Sequence, residues 1–249
     1  MAFVIAITGK GGVGKTTIAA LLIKALVDKS GDVILGVDAD PNVNLGQKLG
    51  VEVDRTIGGL REDLIDRAEE LPAGMSKHEH VRYQIQMALI EGEEFDLLSM
   101  GRSEGPGCYC YINNILRTFM DDLMDDYTYV VIDNEAGMEH LSRRTTKKMD
   151  VLAMVADPTK LGVETARRIS TLADEMELEV DRKALLLNRA PKDIHPAVQG
   201  EIDKGNFDEV VKIPHDKQVE ELTVVGEPLT QVDSISKSFR RIKKWVKGF

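Results

Sequence analysis

Short apolar runs rich in β-branched residues alternate along the chain with longer stretches in which apolar residues recur at helical spacing. The runs that predict strands are Phe3–Thr8, Val33–Asp38, Phe95–Met100, Tyr129–Asp133, Val151–Val155, Ala184–Asn188 and Val210–Ile213. The clearest helical patterns between them are Lys15–Lys29, Asn113–Asp125 and Val163–Glu175. This alternation predicts an α/β fold, namely a doubly wound, mostly parallel central sheet with helices on both faces.

The whole chain, residues 1–249, is interpreted as a single domain. A chain of 249 residues that is 43% hydrophobic can bury one large core, and no linker rich in Pro, Gly or Ser divides it. Residues 55–94 are charged and weakly periodic, so they are interpreted as a helical insertion between the second and third strands. A final helix is predicted over residues 234–248.

A glycine-rich segment follows the first predicted strand and opens the first predicted helix. It has the form Gly9-x4-Gly14-Lys15-Thr16, the pattern of a phosphate-binding P-loop in the context that supports it. The glycines let backbone N–H groups face phosphate oxygens, Lys15 adds positive charge, and the Thr16 hydroxyl is suited to Mg²⁺. The chain is therefore predicted to bind MgATP and to hydrolyse ATP, with the nucleotide held by Gly9, Lys10, Gly11, Gly12, Val13, Gly14, Lys15, Thr16 and Thr17.

Carboxylates end two of the predicted strands. Asp38 and Asp40 close the second strand, and their i, i+2 spacing puts them on one face over the phosphate end of the site. An acidic turn that merely starts a helix is the alternative. Asp133 ends a strand that is apolar throughout, which is the position of the Walker B aspartate. Thr16 and Asp133 are therefore predicted to hold Mg²⁺.

The only two cysteines, Cys108 and Cys110, are separated by one residue and precede a predicted helix. A helix N-terminus stabilises thiolates, and two thiolates on one side of an extended segment can bind a soft metal ion. Two sulfurs leave the shell incomplete, since zinc and nickel sites use about four ligands. A dimer in which two such segments meet would complete it. Two ordinary buried cysteines are the alternative.

The segment Gly9–Thr17 has a second lysine, Lys10, directly after its first glycine. In this it resembles the deviant Walker A signature of the MinD/ParA/nitrogenase-iron-protein class. The resemblance implies a homodimer in which Lys10 reaches the partner's nucleotide. It also implies catalytic roles for Lys10, Lys15 and Asp40, of which Asp40 orients the attacking water while Asp38 acts near Mg²⁺.

A later strand ends in Asn188-Arg189-Ala190-Pro191, at the place where such folds bind the nucleotide base. A guanine-specific motif would need a carboxylate at the fourth position, which is Pro191 here, so ATP is favoured over GTP. The class resemblance implies that Asn188 contacts adenine, with Arg189 beside it, and that the loop at Pro214 closes over the ring.

The segment Gly105–Cys110, together with Asp133–Arg143, is similar to the CooC-type nickel-insertion ATPases. That likeness runs from the phosphate loop to Pro214 and is weakest over residues 55–94. It implies a metallochaperone that holds Ni²⁺ or Zn²⁺ between subunits through Cys108 and Cys110. The expected recipient is a nickel enzyme, either carbon monoxide dehydrogenase or acetyl-CoA synthase, and the dimer would form in the ATP-bound or metal-bound state.

Two alternative functions can be compared with particular residues of the sequence. An iron–sulfur electron-transfer ATPase would need a cysteine where Ala136 stands, so the usual four-cysteine cluster cannot assemble. A membrane-cycling regulator of the MinD type could use Ser234–Phe249, which is basic and has apolar residues at helical spacing. The alternative for that segment is a final helix whose apolar stripe packs on the sheet.

The composition limits which binding partners and which cellular compartment are expected. The net charge of −10 disfavours binding to nucleic acid. No apolar run has membrane-spanning length, which disfavours membrane contact, and the N-terminus reads as the first strand and not as a signal peptide. The two closely spaced cysteines fit a reducing cytoplasm.

Overall fold

The structure is a computed structural model that describes residues 2–60, 76–102, 120, 122–136 and 148–249. Within them lies one eight-stranded sheet with strand order β3-β4-β2-β5-β1-β6-β7-β8. The strands β1 to β8 are, in chain order, Phe3–Gly9, Ile34–Asp38, Leu89–Ile90, Phe95–Ser99, Tyr129–Asp133, Lys148–Ala156, Glu179–Ala190 and Glu209–Pro214. All pairings are parallel except that of β3 with β4. The predicted doubly wound α/β fold is confirmed.

Seven helices lie wholly within the described residues and are numbered in chain order. The helices α1 to α7 are Lys15–Ser30, Asn44–Leu49, Lys77–Gln86, Lys160–Glu175, Pro196–Asp203, Lys217–Val225 and Lys237–Val246. A short 3₁₀ turn, Leu229–Gln231, lies between α6 and α7. The predicted helix Asn113–Asp125 falls mostly outside the described residues.

The core is divided by the sheet into two apolar clusters. On one face, α1 packs on β1, β2 and β5 and against the C-terminal helix α7, which also packs on β8; on the other, α4 packs on β6 and against α5. The central strands are buried on both faces, as the continuous apolar stretch Val130–Ile132 indicates. Both helical layers therefore hold the carboxyl ends of the parallel strands at one edge of the sheet.

The C-terminal helix α7 packs its apolar stripe inside the fold. Phe239 and Ile242 are fully buried and Val246 nearly so, while Trp245 donates its indole N–H to Glu209 Oε1 at 2.9 Å. The Ser236 hydroxyl caps the helix by accepting from the Phe239 N–H at 3.2 Å. The stripe that could have bound lipid is thus part of the core. None of the helices that the structure describes is long and apolar enough to cross a membrane.

The region interpreted as a helical insertion contains one unforeseen strand. Ser76 and Glu79 form a capping box that starts α3, in agreement with the helical part of the interpretation. The strand Leu89–Ile90 then pairs antiparallel with β4 at the edge of the sheet. A run of two residues is too short to give a period, so helical insertion was the wrong interpretation for these residues.

Candidate nucleotide site

The phosphate loop joins β1 to α1 in a conformation that only glycine adopts freely. Gly9, Gly12 and Gly14 have positive φ angles of 149°, 80° and 94°. A Cβ atom on Gly9 would lie 2.3 Å from the carbonyl oxygen of Val155, so the loop could not pass β6 with any larger residue. Gly14 begins α1 without any side-chain cap, which leaves the N–H groups of the first helical turn for a bound anion.

The two lysines of the loop have different surroundings. Lys15 is 8% exposed, and its charge lowers the pKa of Asp133, so it lies inside the site. Lys10 is exposed at the surface of the loop. Only Lys15 is therefore positioned for phosphates bound within the same chain, and Lys10 faces outward, where a second molecule could approach.

Two carboxylates meet at the carboxyl end of the sheet. Asp38 and Asp133 are register partners on β2 and β5, and both are almost completely buried. Asp38 accepts backbone hydrogen bonds from Asp40 at 3.1 Å and Leu45 at 2.8 Å. Neither oxygen of Asp133 completes a hydrogen bond of regular geometry within the described residues. Buried oxygens without partners are suited to a cation.

Burial is the largest influence on the pKa values of Asp38 and Asp133. It raises the pKa of Asp38 to about 6, against the opposing effect of its two backbone hydrogen bonds. It raises the pKa of Asp133 to about 7, where the Thr16 hydroxyl and the Lys15 charge offset part of the effect and the Asp38 charge adds to it. A divalent cation would favour the ionised form of both. Thr16, Asp38 and Asp133, the predicted Mg²⁺ ligands, thus form a set that fits the ion.

The loop after β2 is held by its own side chains. Asp40 Oδ1 accepts from both the backbone N–H and the side-chain amide of Asn42, each at 2.8 Å. The next residue, Val43, has a left-handed conformation with φ 52°, which is strained for a β-branched side chain. The structure therefore places Asp40 in a tight, strained turn beside Asp38. Its predicted role in orienting water stays a prediction.

A cavity of about 330 Å³ lies between α1, the carboxyl ends of β7 and β8, and α6. Its walls include the predicted base-site residues Asn188, Arg189 and Pro214, together with Thr17, Ile18, Leu21, Ile213, His215, Asp216, Val219, Glu220, Thr223, Val224 and Ser238. The sequence did not indicate the contribution of α6 and Ser238, because residues far apart in the chain form this wall. A cavity next to the phosphate loop suits the rest of a nucleotide.

Asn188 has a structural task that sequence reasoning missed. Its amide Nδ2 donates to the carbonyl oxygen of Val13 at 2.8 Å, and its Oδ1 accepts from the Arg189 N–H at 3.0 Å. A Cβ atom on Gly14 would lie only 2.5 Å from the same amide nitrogen. Asn188 thus fastens β7 to the phosphate loop. Its predicted contact with adenine stays a prediction.

Asn134, directly after Asp133, is a second polar residue that the sequence did not single out. It is 1% exposed, and its amide donates to the carbonyl oxygen of Ile7 at 2.9 Å. Its Oδ1 is buried and has no partner in the described part of the chain. The bond to Ile7 holds the end of β5 against β1, where the phosphate loop begins.

The metal-binding part of the sequence prediction lies outside the described residues. That holds for Cys108 and Cys110, and for residues 137–143 of the segment that begins at Asp133. Among the described residues, no group of three or more His, Cys, Asp or Glu side chains could hold a metal ion by itself. A soft-metal site at the two cysteines stays a prediction.

Comparison with known proteins agrees with this geometry. The profile of the CobQ/CobB/MinD/ParA nucleotide-binding domain matches residues 4–229. The chain belongs to this family. Membership explains the phosphate loop and the buried aspartates together, and it makes the protein an ATP-binding P-loop NTPase of the MinD/ParA-like kind.

Three members of this family describe its range. An uncharacterized ATP-binding protein of Methanocaldococcus jannaschii is 41% identical, over 97% of this chain and 96% of its own length. The carbon monoxide dehydrogenase accessory protein CooC of Rhodospirillum rubrum is 30% identical over 89% and 87% of the two chains. The septum site-determining protein MinD of Pyrococcus horikoshii, solved in complex with Mg-ADP, has a TM-score of 0.69 and 22% identity over 99% and 96% of the two chains. The last likeness concerns the fold alone.

Proposed function

We propose that this family member is an ATP-dependent metallochaperone. It binds Ni²⁺ or Zn²⁺ through Cys108 and Cys110 at a homodimer interface and helps to insert nickel into carbon monoxide dehydrogenase or acetyl-CoA synthase. The observation that carries the proposal is the similarity to CooC over most of both chains. The Cys-x-Cys pair supplies the matching chemistry, since thiolates are strong ligands of both ions.

Hydrolysis of ATP is assigned to the residues around the two buried aspartates. Thr16, Asp38 and Asp133 would hold Mg²⁺, which supplies positive charge to the phosphate oxygens. The buried Lys15 adds a fixed charge at the same place. Asp40, two residues beyond Asp38, is the proposed group that orients the attacking water.

A homodimer is part of the proposal for two independent reasons. Lys10 is exposed on the phosphate loop, so its charge is available to a nucleotide bound in a second copy. One chain has only two thiols, so a shell of about four sulfurs requires two chains. The same surface would then respond to both ATP and metal. A reducing cytoplasm, which keeps both thiols free, is the proposed compartment.

Metal analysis of the purified protein, with and without ATP, tests the proposal directly. The expected result is bound nickel or zinc whose amount changes with nucleotide and which is lost when both cysteines are replaced by serine. Retention of the metal after that replacement would contradict the proposal. ATP-dependent pelleting with liposomes would instead favour a MinD-like regulator, although the buried stripe of α7 argues against it.

A further inference from the structure

The wall of the 330 Å³ cavity includes two helices that follow β8. α6 contributes Val219, Glu220, Thr223 and Val224, and Ser238 comes from the first turn of α7. α6 has no fully buried residue, and its contact with the core is limited to the partly buried Val219 and Leu222. Polar contacts at its N-terminus therefore contribute to fixing this wall.

Asp216 lies at the junction of these elements and caps α6. Its Oδ1 accepts from the backbone N–H of Gln218 at 3.0 Å and, more weakly, from that of Val219 at 3.5 Å. These are two of the N–H groups that a helix start leaves without partners. The first turn of α6 is thereby anchored to the end of the Pro214-His215 loop.

The other oxygen of Asp216 reaches the C-terminal helix. Oδ2 accepts from the Ser236 hydroxyl at 2.8 Å and from the Ser238 N–H at 3.1 Å. Ser236 and Ser238 are 6% and 4% exposed, so these bonds are shielded from water. One carboxylate thus joins the N-termini of α6 and α7, which are both favourable places for a negative charge.

A second contact supports the same junction. The Gln218 side chain donates to Asp233 Oδ2 at 2.7 Å and accepts from the Asp233 N–H at 3.2 Å. For Asp216, burial acts to raise the pKa, but the hydrogen bonds from Ser238, Ser236 and the neighbouring backbone outweigh it and the pKa is lowered. The hydrogen bonds of the folded protein therefore favour the ionised form of the Asp216 carboxylate.

We infer that Asp216 is a positioning residue for the nucleotide base. It fixes the α6 wall of the cavity by tying it to the docked C-terminal helix, so the affinity for the base depends on that docking. This inference rests on the proposed use of the cavity as the base site. Asp216 acts through the wall and has no role at the phosphates, which are bound by the loop at Gly9–Thr17.

Coupling of this kind has a reciprocal consequence. If docking of α7 strengthens base binding, then a bound base must strengthen docking of α7 by the same factor. Hydrogen exchange at the amides of Ser238 and Phe239 should slow when ATP is added. Inorganic tripolyphosphate, which has no base, should slow it much less.

The test compares the dissociation constants of ATP and of inorganic tripolyphosphate, both with Mg²⁺, for the full chain. Asp216→Ala should weaken ATP by about tenfold, the order expected for losing a helix cap and charged hydrogen bonds, and leave tripolyphosphate unchanged. Asp216→Asn keeps the size of the side chain and should weaken ATP less. It serves as the test if the alanine variant does not fold.

Asp203→Ala is the matched control, because Asp203 accepts a hydrogen bond from the Gln199 side chain within α5 and neither lines the cavity nor belongs to α6 or α7. It should leave both constants unchanged. Equal loss of ATP and tripolyphosphate in the Asp216 variants, no loss of either, or the same ATP loss in Asp203→Ala would each overturn the inference. If the unmodified protein binds ATP no more tightly than tripolyphosphate, the proposed base site itself is wrong.

Discussion

Asp38 and Asp133 lie side by side in register on neighbouring parallel strands, with both carboxylates buried at the same edge of the sheet. Their pKa values are raised to about 6 and about 7, mainly by burial. Two like charges in one buried place are costly unless a cation joins them. The pair therefore lowers the stability of the cation-free protein and is suited to binding a cation.

This pair makes the stability of the metal-free protein depend on pH. Below about pH 4 both the folded and the unfolded chain hold the two protons, whereas between about pH 4 and 7 only the folded chain retains them. The free energy of unfolding should therefore fall as pH rises through this window and level off above about pH 7. The Asp133 contribution should be on the order of 4 kcal/mol.

Urea unfolding at several pH values, with chelator present, measures this slope. Asp133→Asn should reduce this slope to the part that Asp38 contributes, because the substituted group no longer titrates. The exposed Asp193→Asn serves as the control and should keep the wild-type slope. A wild-type slope in Asp133→Asn would mean that Asp133 is not the titrating group.

Substitutions of the two lysines of the phosphate loop should have different effects. Lys15→Ala removes the buried charge beside Asp133 and should abolish ATP hydrolysis, with a loss of about 10³-fold or more. Lys10→Ala removes an exposed charge and should chiefly impair ATP-dependent dimerisation and turnover. Sedimentation with a slowly hydrolysed ATP analogue, followed by steady-state turnover, distinguishes them. Normal dimerisation and turnover in Lys10→Ala would refute a role for Lys10 in the partner's site.

Asn188→Ala should loosen the phosphate loop without touching its sequence. The variant loses the bond to the Val13 carbonyl, which is buried, so it should be less stable by about 1–2 kcal/mol. Affinity for tripolyphosphate should fall along with affinity for ATP, because the loop itself moves. Thermal unfolding and calorimetric titration measure the two effects. The exposed Asn206→Ala is the control, and a loss confined to ATP would instead favour a direct contact with the base.

The cysteine pair should bind metal only as a dimer. Titration with Ni²⁺ is expected to saturate near one ion per two chains and to promote dimerisation, since about four sulfurs complete the shell. Cys108→Ser and Cys110→Ser should each weaken binding severely and remove nickel–thiolate absorption, while nucleotide binding persists. One ion per chain, retained without either thiol, would place the metal elsewhere and remove the main chemical argument for a metallochaperone.

The central strands and the phosphate loop could be predicted because each leaves a local pattern. Val130–Ile132 is apolar at every position, and Gly9–Thr16 has a fixed spacing. α2 left no such pattern, because Asn44–Leu49 is short and contains a glycine. The predicted strand Ala184–Asn188 is shorter than β7, Glu179–Ala190, because the first five residues of β7 are mostly polar.

Contacts between distant segments of the site could not be predicted from the sequence, for a different reason. The bond from Asn188 to Val13 spans 175 residues and ends on a carbonyl group, which every residue has. The same holds for Asp216 and Ser238, which meet only because α7 docks on the sheet. Side chains that serve the backbone of a distant segment have no motif of their own, whereas Asp38 and Asp133 could be found because each ends a strand.

The two edge strands of the sheet, β3 and β8, affect how two molecules can associate. At one border β3 offers only two residues to another strand, and at the other β8 carries the exposed Lys212 and ends in Pro214, which has no N–H to donate. Both arrangements discourage strand-to-strand pairing between molecules, the usual route to aggregates and extended sheets. Two copies are thus directed away from these borders. The proposed homodimer would accordingly use the end of the sheet that bears the phosphate loop, where association can be reversible and depend on the bound nucleotide.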